Sequence, residues 1–103
     1  KKGAEIKKII EEAKEVIFQN KLFSRIKKII LFGSAAENKL TLNSDIDIAV
    51  EFNKITKEEA YNFRREVMGK LNEKVDIQVY NMLHQKIKKE ILNKNKVLYE
   101  QTH

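Results

Sequence analysis

The stretch LFGSAAENKLTLNSDIDIAV, residues 31–50, joins a Gly-Ser pair to two aspartates that lie ten residues further on. Gly33 and Ser34 end one apolar run, whereas Asp45 and Asp47 open another. Side chains alternate across a strand, so the two carboxylates share one face of the second run. Like charges at that separation repel, and a carboxylate removed from water needs a partner. The stretch therefore predicts a strand whose polar face holds cations.

Hydrophobic periodicity on either side of this stretch predicts alternating helices and strands. The predicted elements are, in order, a helix at 5–20, a strand at 26–32, a short helix from 34 to about 39, a strand at 45–52, a helix opened by a Thr56–Glu59 capping box, a strand at 75–80, a helix capped by Asn81 and a short strand at 97–99. This order predicts an α/β (α+β) domain with a small mixed β-sheet and helices packed mainly on one face. The length of 103 residues predicts a single domain over 1–103.

Composition limits the kinds of protein to which the chain can belong. It has no cysteine, which excludes disulfides, thiolate metal sites and a cysteine nucleophile. No apolar run approaches the roughly 18 residues of a transmembrane helix, and no signal-peptide pattern opens the chain, so we expect a cytoplasmic protein with no membrane partner. The net charge of +6 suits nucleic acid, nucleotide or an acidic partner, although lysines interleaved with glutamates equally suit a solvated surface.

A third aspartate follows in the strand predicted at 75–80. Apolar residues before and after it place Asp76 on the face of the sheet that the helices leave open. Neighbouring strands are about 4.8 Å apart, so pairing in register would bring Asp76 close to Asp45 and Asp47. Carboxylate oxygens suit Mg²⁺, and two such ions can clamp the attacking and leaving oxygens of a phosphoryl displacement.

The Gly-Ser pair suits a phosphate ligand beside these carboxylates. Gly33 lets the backbone turn sharply and approach a ligand closely. Ser34 and the amides after it, at the start of a short helix, would offer hydrogen bonds and the positive end of a dipole to a triphosphate. Arg64 and Arg65 are further candidates for binding a triphosphate or an acidic partner, but their place on a predicted helix favours a solvated face.

These motifs have a counterpart in a known family. Gly33-Ser34, ten residues and then Asp45-Ile46-Asp47 resemble the GSx10DxD signature of the DNA polymerase beta nucleotidyltransferase superfamily. Asp76 lies in a strand where that superfamily places its third carboxylate. The short chain and its C-terminal segment IKKEILNKNKVLYE resemble the minimal nucleotidyltransferases of this superfamily. The resemblance spans about residues 25–100 and implies a nucleotidyltransferase fold.

The resemblance implies a Mg²⁺-dependent transfer of a nucleoside monophosphate, with AMP from ATP favoured, and release of pyrophosphate. Asp45, Asp47 and Asp76 would hold two Mg²⁺ ions, and Asp76 would also help to deprotonate the attacking hydroxyl. Gly33 and Ser34 would hold the triphosphate. Many members follow Gly-Ser with x-Ala-Arg-Gly, whereas this chain has AAEN at 35–38. The resemblance leaves Lys39 as a candidate replacement for the missing cation in nucleotide binding.

The resemblance also implies a partner and leaves alternatives open. Minimal nucleotidyltransferases commonly accompany HEPN-domain proteins, and some are antitoxins that transfer AMP to a tyrosine of the HEPN toxin. The leading hypothesis is therefore an antitoxin that AMPylates its HEPN partner. The first alternative is an antitoxin that neutralises the HEPN partner by binding alone. The second, which is not favoured, is a basic nucleic-acid-binding protein, which would bind with a steep salt dependence and without Mg²⁺.

Overall fold

The computed structural model describes residues 2–37 and 45–102, and the predicted order of helices and strands is confirmed over these residues. The elements are α1 (Lys2–Phe18), β1 (Ile26–Phe32), β2 (Ile46–Phe52), α2 (Lys57–Met68), β3 (Val75–Val79), α3 (Gln85–Asn93) and β4 (Asn95–Glu100), with short 3-10 turns at Phe23–Arg25, Gly33–Ala35 and Tyr80–Met82. The polar loop and Lys39 predicted between β1 and β2 lie outside the described residues. Within the described ranges, no helix has the length and apolar character needed to cross a membrane.

The four strands form one mixed sheet in the order β3-β2-β1-β4. β1 is antiparallel to both β2 and β4, whereas β2 and β3 are parallel. A parallel pair needs a crossover connection, and α2 supplies it between β2 and β3. This topology makes β3 an edge strand that lies directly beside β2, the strand carrying Asp47.

Apolar side chains separate onto the two faces of the sheet. The larger cluster packs α1 and α2 against one face and includes Ile17, Ile48, Phe52, Phe63 and Ile77. The rings of Phe52 and Phe63 meet edge to face, with 5.0 Å between their centroids. Two of the three helices therefore share one face, which confirms the predicted architecture.

The other face of the sheet is not fully open. A smaller cluster of Ile30, Ala49 and Ile91 packs α3 over part of it. Ala49 is fully buried there, and its small side chain lets α3 approach the sheet closely. Asp47 and Asp76 lie outside this cluster and stay partly exposed on the same face.

Asn81 does not cap α3, contrary to the prediction. Its side-chain amide donates to the carbonyl of Phe52 at 2.8 Å, and its side-chain oxygen accepts from the Phe52 N–H at 2.9 Å. Asn81 lies in a 3-10 turn just beyond the end of β3, so its side chain takes the position of a continuing strand beside β2. His84 caps the helix instead, since its Nδ1 accepts from the Lys86 N–H at 3.2 Å.

The predicted capping box opens α2, and an ion pair ties it to Arg25 in the 3-10 turn just before β1. The Thr56 hydroxyl accepts from the Glu59 N–H at 3.1 Å, and the Glu59 carboxylate accepts from the Thr56 N–H at 3.0 Å. Both oxygens of Glu59 also bind the Arg25 guanidinium, each at 2.9 Å. These hydrogen bonds, chiefly that from Arg25, lower the pKa of the Glu59 carboxyl to about 2.

This pKa makes part of the stability dependent on acid. Because the folded-state pKa of Glu59 is below its ordinary value of 4.5, its contribution is complete above pH 4.5 and is lost as the pH falls towards about 2. We expect Glu59→Gln to destabilise the protein at pH 7. The difference in unfolding free energy between wild type and variant should shrink as the pH falls from 4.5 towards about 2. Urea unfolding at a series of pH values between 7 and 2.5 measures the free energy of unfolding of wild type and of Glu59→Gln. Glu58→Gln, in the same helical turn but outside the Arg25 contact, is the control; an equal pH response from both variants would contradict the assignment.

Candidate functional site

The structure brings two of the predicted carboxylates directly opposite each other. In the parallel pairing of β2 with β3, Asp47 is the register partner of Asp76. Their neighbours Ile48 and Ile77, also partners, point into the large apolar cluster, so both carboxylates lie on the other face. Asp45 immediately precedes β2, two residues before Asp47 and therefore on the same side of the chain. The pairing in register on which the predicted site depends is thus observed for Asp47 and Asp76.

The charges of these carboxylates act on one another. Partial burial raises the pKa of the Asp47 carboxyl above its ordinary value, and the negative charges of Asp76 and then Asp45 raise it further. The ionised form of Asp47 is therefore disfavoured in the protein alone. A cation placed between the carboxylates would remove this repulsion, as the sequence pattern predicts.

Gly33 brings the backbone of the first loop against Asp47. Its φ of +71° is in the left-handed region, which glycine adopts without the strain of a side chain. A Cβ on Gly33 would lie 2.5 Å from Oδ2 of Asp47, well inside van der Waals contact. The turn and the carboxylate are adjacent because Phe32, the last residue of β1, is the register partner of Asp47. Only glycine fits here without moving the carboxylate.

The short helix expected after Gly33 is a single 3-10 turn over Gly33–Ala35. Ser34 is exposed on it and available to a ligand. The N–H groups of Ala36 and Glu37 donate to the carbonyls of Gly33 and Ser34, at 3.1 and 3.2 Å. These two amides, which the sequence suggested as phosphate donors, are therefore engaged within the turn itself.

Asp76 has two polar neighbours that sequence reasoning did not connect to it. Gln78 Nε2 donates to Asp76 Oδ2 at 3.0 Å. Arg64 reaches from α2, and its Nη2 lies 3.7 Å from Asp76 Oδ1. The sequence places Arg64 on a helix and Asp76 on a strand, and it carries no signal that joins them.

Glu37, the acid that replaces the usual arginine of the motif, has a basic neighbour from the end of α3. Lys94 Nζ lies 3.2 Å from Glu37 Oε1. Lys94 directly follows α3 and precedes β4, so this pair ties the first loop to the C-terminal part of the chain. Glu37 therefore has a structural partner within the chain.

Comparison with known proteins identifies the family. The family model described as "Polymerase beta, Nucleotidyltransferase" matches residues 5–103. The chain belongs to this nucleotidyltransferase family. The match spans the site and every strand of the sheet, so it supports the resemblance that the Gly-Ser and Asp-x-Asp motifs carry.

Two relatives in this family come from Methanocaldococcus jannaschii, and both carry the provisional name protein adenylyltransferase. One is 38% identical over 77 residues, which make up 74% of this chain and 57% of the relative. The other is 35% identical over 85 residues, which make up 82% of this chain and 91% of the relative. The chain thus spans little more than half of the first relative's length and most of the second's.

The fold recurs in a solved toxin–antitoxin complex. A chain in the re-refined structure of tri-AMPylated Shewanella oneidensis HEPN toxin in complex with MNT antitoxin matches with a TM-score of 0.58 and 21% identity, over 92% of this chain and 69% of that one. At this identity the match shows a shared nucleotidyltransferase fold, and it confirms the predicted fold class.

The donor chemistry of this candidate site fits a hard divalent cation. Its ligand candidates are carboxylates alone, which Mg²⁺ prefers, and two of them face each other across neighbouring strands. Partial burial raises the pKa of the Asp47 carboxyl, and the negative charges of Asp76 and Asp45 add to this effect. In residues 2–37 and 45–102, however, no three histidine, aspartate or glutamate side chains are arranged to hold a metal ion as they stand. Binding would therefore require the carboxylates to adjust around the ion.

Proposed function

We propose that this chain is a Mg²⁺-dependent adenylyltransferase that transfers AMP from ATP to a hydroxyl group, with a tyrosine of a partner HEPN toxin as the favoured acceptor. The observation that carries the proposal is the register pairing of Asp47 with Asp76 beside the Gly33 turn. Family membership supports nucleotidyl transfer, and the names of the two M. jannaschii relatives support a protein acceptor. The AMPylated HEPN toxin in the complex of the same fold supports the partner.

Each residue of the site has a role in this proposal. Asp45, Asp47 and Asp76 would hold Mg²⁺, and Gly33 and Ser34 would contact the triphosphate. Bound Mg²⁺ would supply positive charge to the phosphates and to the departing pyrophosphate. Lys39 stays a candidate nucleotide contact. The protein's own contribution is chiefly to orient the reactants and balance their charge, which is where most of the catalysis in phosphoryl transfer lies.

The proposed reaction exchanges one phosphate bond for another. The acceptor oxygen forms a bond to the α-phosphorus of ATP, and the bond from that phosphorus to the oxygen bridging to the β-phosphate breaks. Pyrophosphate leaves, and the hydroxyl proton passes to a base, for which Asp76 is the candidate. ATP and Mg²⁺ are both abundant in the cytoplasm, where we place the reaction.

One observation favours the alternative of an antitoxin that acts by binding alone. Glu37 stands where many members have arginine, and it pairs with Lys94 within the chain. A site with one cation fewer near the phosphates would bind ATP more weakly. In that case the HEPN partner would be neutralised by complex formation, without AMP transfer.

Labelled ATP separates these two functions. The chain is incubated with Mg²⁺, α-labelled ATP and a candidate HEPN partner from the same genome, and the products are resolved by denaturing electrophoresis. We expect the HEPN protein to become labelled. The label should be lost when the acceptor tyrosine is replaced by phenylalanine, and it should also be lost when this chain carries Asp76→Asn. Glu73→Gln, just before β3 and outside the site, is the matched control and should transfer normally.

The outcomes of this assay distinguish an enzymatic antitoxin from one that acts by binding alone. A stable complex without label would support the binding antitoxin and overturn the enzymatic proposal. Neither label nor complex would overturn both. Labelling that persists with Asp76→Asn would show that Asp76 is not needed for transfer.

A further inference from the structure

Both carboxylate oxygens of Asp76 have a fixed polar neighbour. Oδ2 accepts a 3.0 Å hydrogen bond from Gln78, which lies two residues along the same strand and hence on the same face. Oδ1 lies 3.7 Å from Nη2 of Arg64. Because α2 packs on the opposite face of the sheet, the Arg64 side chain must pass around the outer edge of β3 to reach Asp76.

Arg64 is held in place by something other than Asp76. Its Nε donates to the backbone carbonyl of Ile77 at 2.7 Å. β3 is an edge strand, so the guanidinium supplies a donor on the side where no neighbouring strand lies. Its Nη2 also contacts the Met68 sulfur at 3.9 Å. The positive charge of Arg64 is thus anchored beside Asp76 by the fold.

Asp76 needs such support because of its position. It faces the like charge of Asp47 across the strand pair, and its side chain is 38% exposed. A carboxylate in this position tends to rotate towards water and away from its neighbour. Carboxylates that bind metals are commonly held by hydrogen-bonding partners one layer out, which fix their orientation.

We propose that Arg64 and Gln78 are positioning residues that hold the Asp76 carboxylate ready for a divalent cation shared with Asp47. The inference rests on the proposed function, because it takes Asp76 as a ligand of that cation. Gln78 fixes the direction of one oxygen, and Arg64 offsets the repulsion from Asp47 without adding a ligand to the site.

A competing interpretation makes the opposite prediction. Arg64 is itself a cation and would act as an inhibitor if it occupied the place of the metal ion. The 3.7 Å distance argues against this, because it exceeds the roughly 2.7–2.9 Å of a charge-assisted hydrogen bond and leaves Oδ1 free to coordinate. The sign of the change in metal affinity when Arg64 is replaced therefore decides between positioning and competition.

Mn²⁺ binding to the whole chain, without nucleotide or partner, tests the inference. Mn²⁺ stands in for Mg²⁺, and the free ion is counted by electron paramagnetic resonance. We expect Arg64→Gln and Gln78→Met each to weaken Mn²⁺ binding by about 10–100-fold, the range typical of lost outer partners. Arg65→Gln is the matched control, since Arg65 is exposed on the same helix and lies over the Tyr61 ring, 5.8 Å from its centroid. It should bind Mn²⁺ as wild type does.

The labelled-ATP assay supplies a second measurement. Arg64→Gln should lower kcat while leaving KM for ATP close to the wild-type value, and Arg64→Lys should restore part of the loss because it keeps the charge. Mn²⁺ binding in Arg64→Gln that equals or exceeds wild type would overturn the inference, as would wild-type protein that binds no Mn²⁺. If Arg64→Gln does not fold, Gln78→Met decides, since it leaves Arg64 in place. Wild-type protein that binds Mn²⁺ but transfers no label would overturn only the proposed function.

Discussion

Asp47→Asn is expected to abolish AMP transfer while making the metal-free protein more stable. Partial burial and the charges of Asp76 and Asp45 disfavour the ionised Asp47 side chain, and the amide removes that charge without changing its size. The same change removes a ligand from the cation site. We expect transfer to fall by at least about 10²–10³-fold, the loss that follows removal of one charge-stabilising group from a preorganised site.

The stability gain should depend on pH in a defined direction. The folded-state pKa of Asp47 is raised above its ordinary value of 3.8, so its ionisation opposes folding as the pH rises through the folded-state value. The advantage of Asp47→Asn should therefore be complete at neutral pH and vanish below about pH 3.8. The difference in melting temperature between Asp47→Asn and wild type, measured without metal from neutral pH to below about pH 3.8, tests this expectation. Added Mg²⁺ should stabilise wild type and leave Asp47→Asn unchanged, because only a chain that binds the ion gains from it.

Glu51→Gln provides the control for this prediction. Glu51 lies on the same strand and the same face as Asp47, four residues further on, and it is outside the site. It should change neither transfer nor the response to Mg²⁺. A large fall in the melting temperature of metal-free Asp47→Asn would instead show that the carboxylate is structural, and would count against a cation site.

Gly33→Ala is expected to reduce both stability and transfer. The φ of +71° would strain any side chain, and the left-handed conformation costs about 1–2 kcal/mol for a residue with a Cβ. The new Cβ would also lie 2.5 Å from Asp47 Oδ2 and push the carboxylate out of position. For a domain of about 100 residues, we expect the melting temperature to fall by about 4–8 °C per kcal/mol. Transfer should fall towards the level of Asp47→Asn.

Gly69→Ala separates strain from a general effect of replacing glycine. Gly69 follows α2 with an ordinary helical φ of −65°, and an added Cβ would lie 3.2 Å from the Arg65 carbonyl oxygen, so alanine there should cost less stability than at Gly33, where the left-handed φ adds strain. Thermal unfolding and the labelled-ATP assay are run on both variants. Full transfer by Gly33→Ala would show that the close approach of the turn to Asp47 has no role in the reaction.

The strands, and the face of the sheet on which Asp47 and Asp76 lie, could be predicted because local pattern decides them. The apolar run at 26–32 coincides with β1, and alternation in β2 and β3 fixed which face carries Asp47 and Asp76. The Thr56–Glu59 capping box is likewise a local motif, and it is present. Alternation cannot reveal which strands lie side by side, so the register itself was observed only in the folded chain.

The contacts that the sequence did not reveal are those that depend on long-range packing. Arg64 reaches Asp76 only because β3 is an edge strand, around which a side chain from α2 on the opposite face can pass. Asn81 binds the backbone of Phe52 because β3 ends two residues earlier, which leaves the β3 side of β2 without a strand at Phe52. Ala49 on the polar face is buried because α3 folds back over it. Each of these positions has a polar or small side chain whose sequence context suits a solvated surface equally well.

A crystal structure with Mg²⁺ and an ATP analogue that cannot release pyrophosphate, such as one with a methylene bridge between the α- and β-phosphates, tests the site most directly. We predict an ion bound by the carboxylates of both Asp47 and Asp76, with phosphate oxygens against the Gly33–Ser34 turn. An Asp76 side chain that stays on Arg64 and Gln78 with no shared ion, or a triphosphate bound away from that turn, would contradict it.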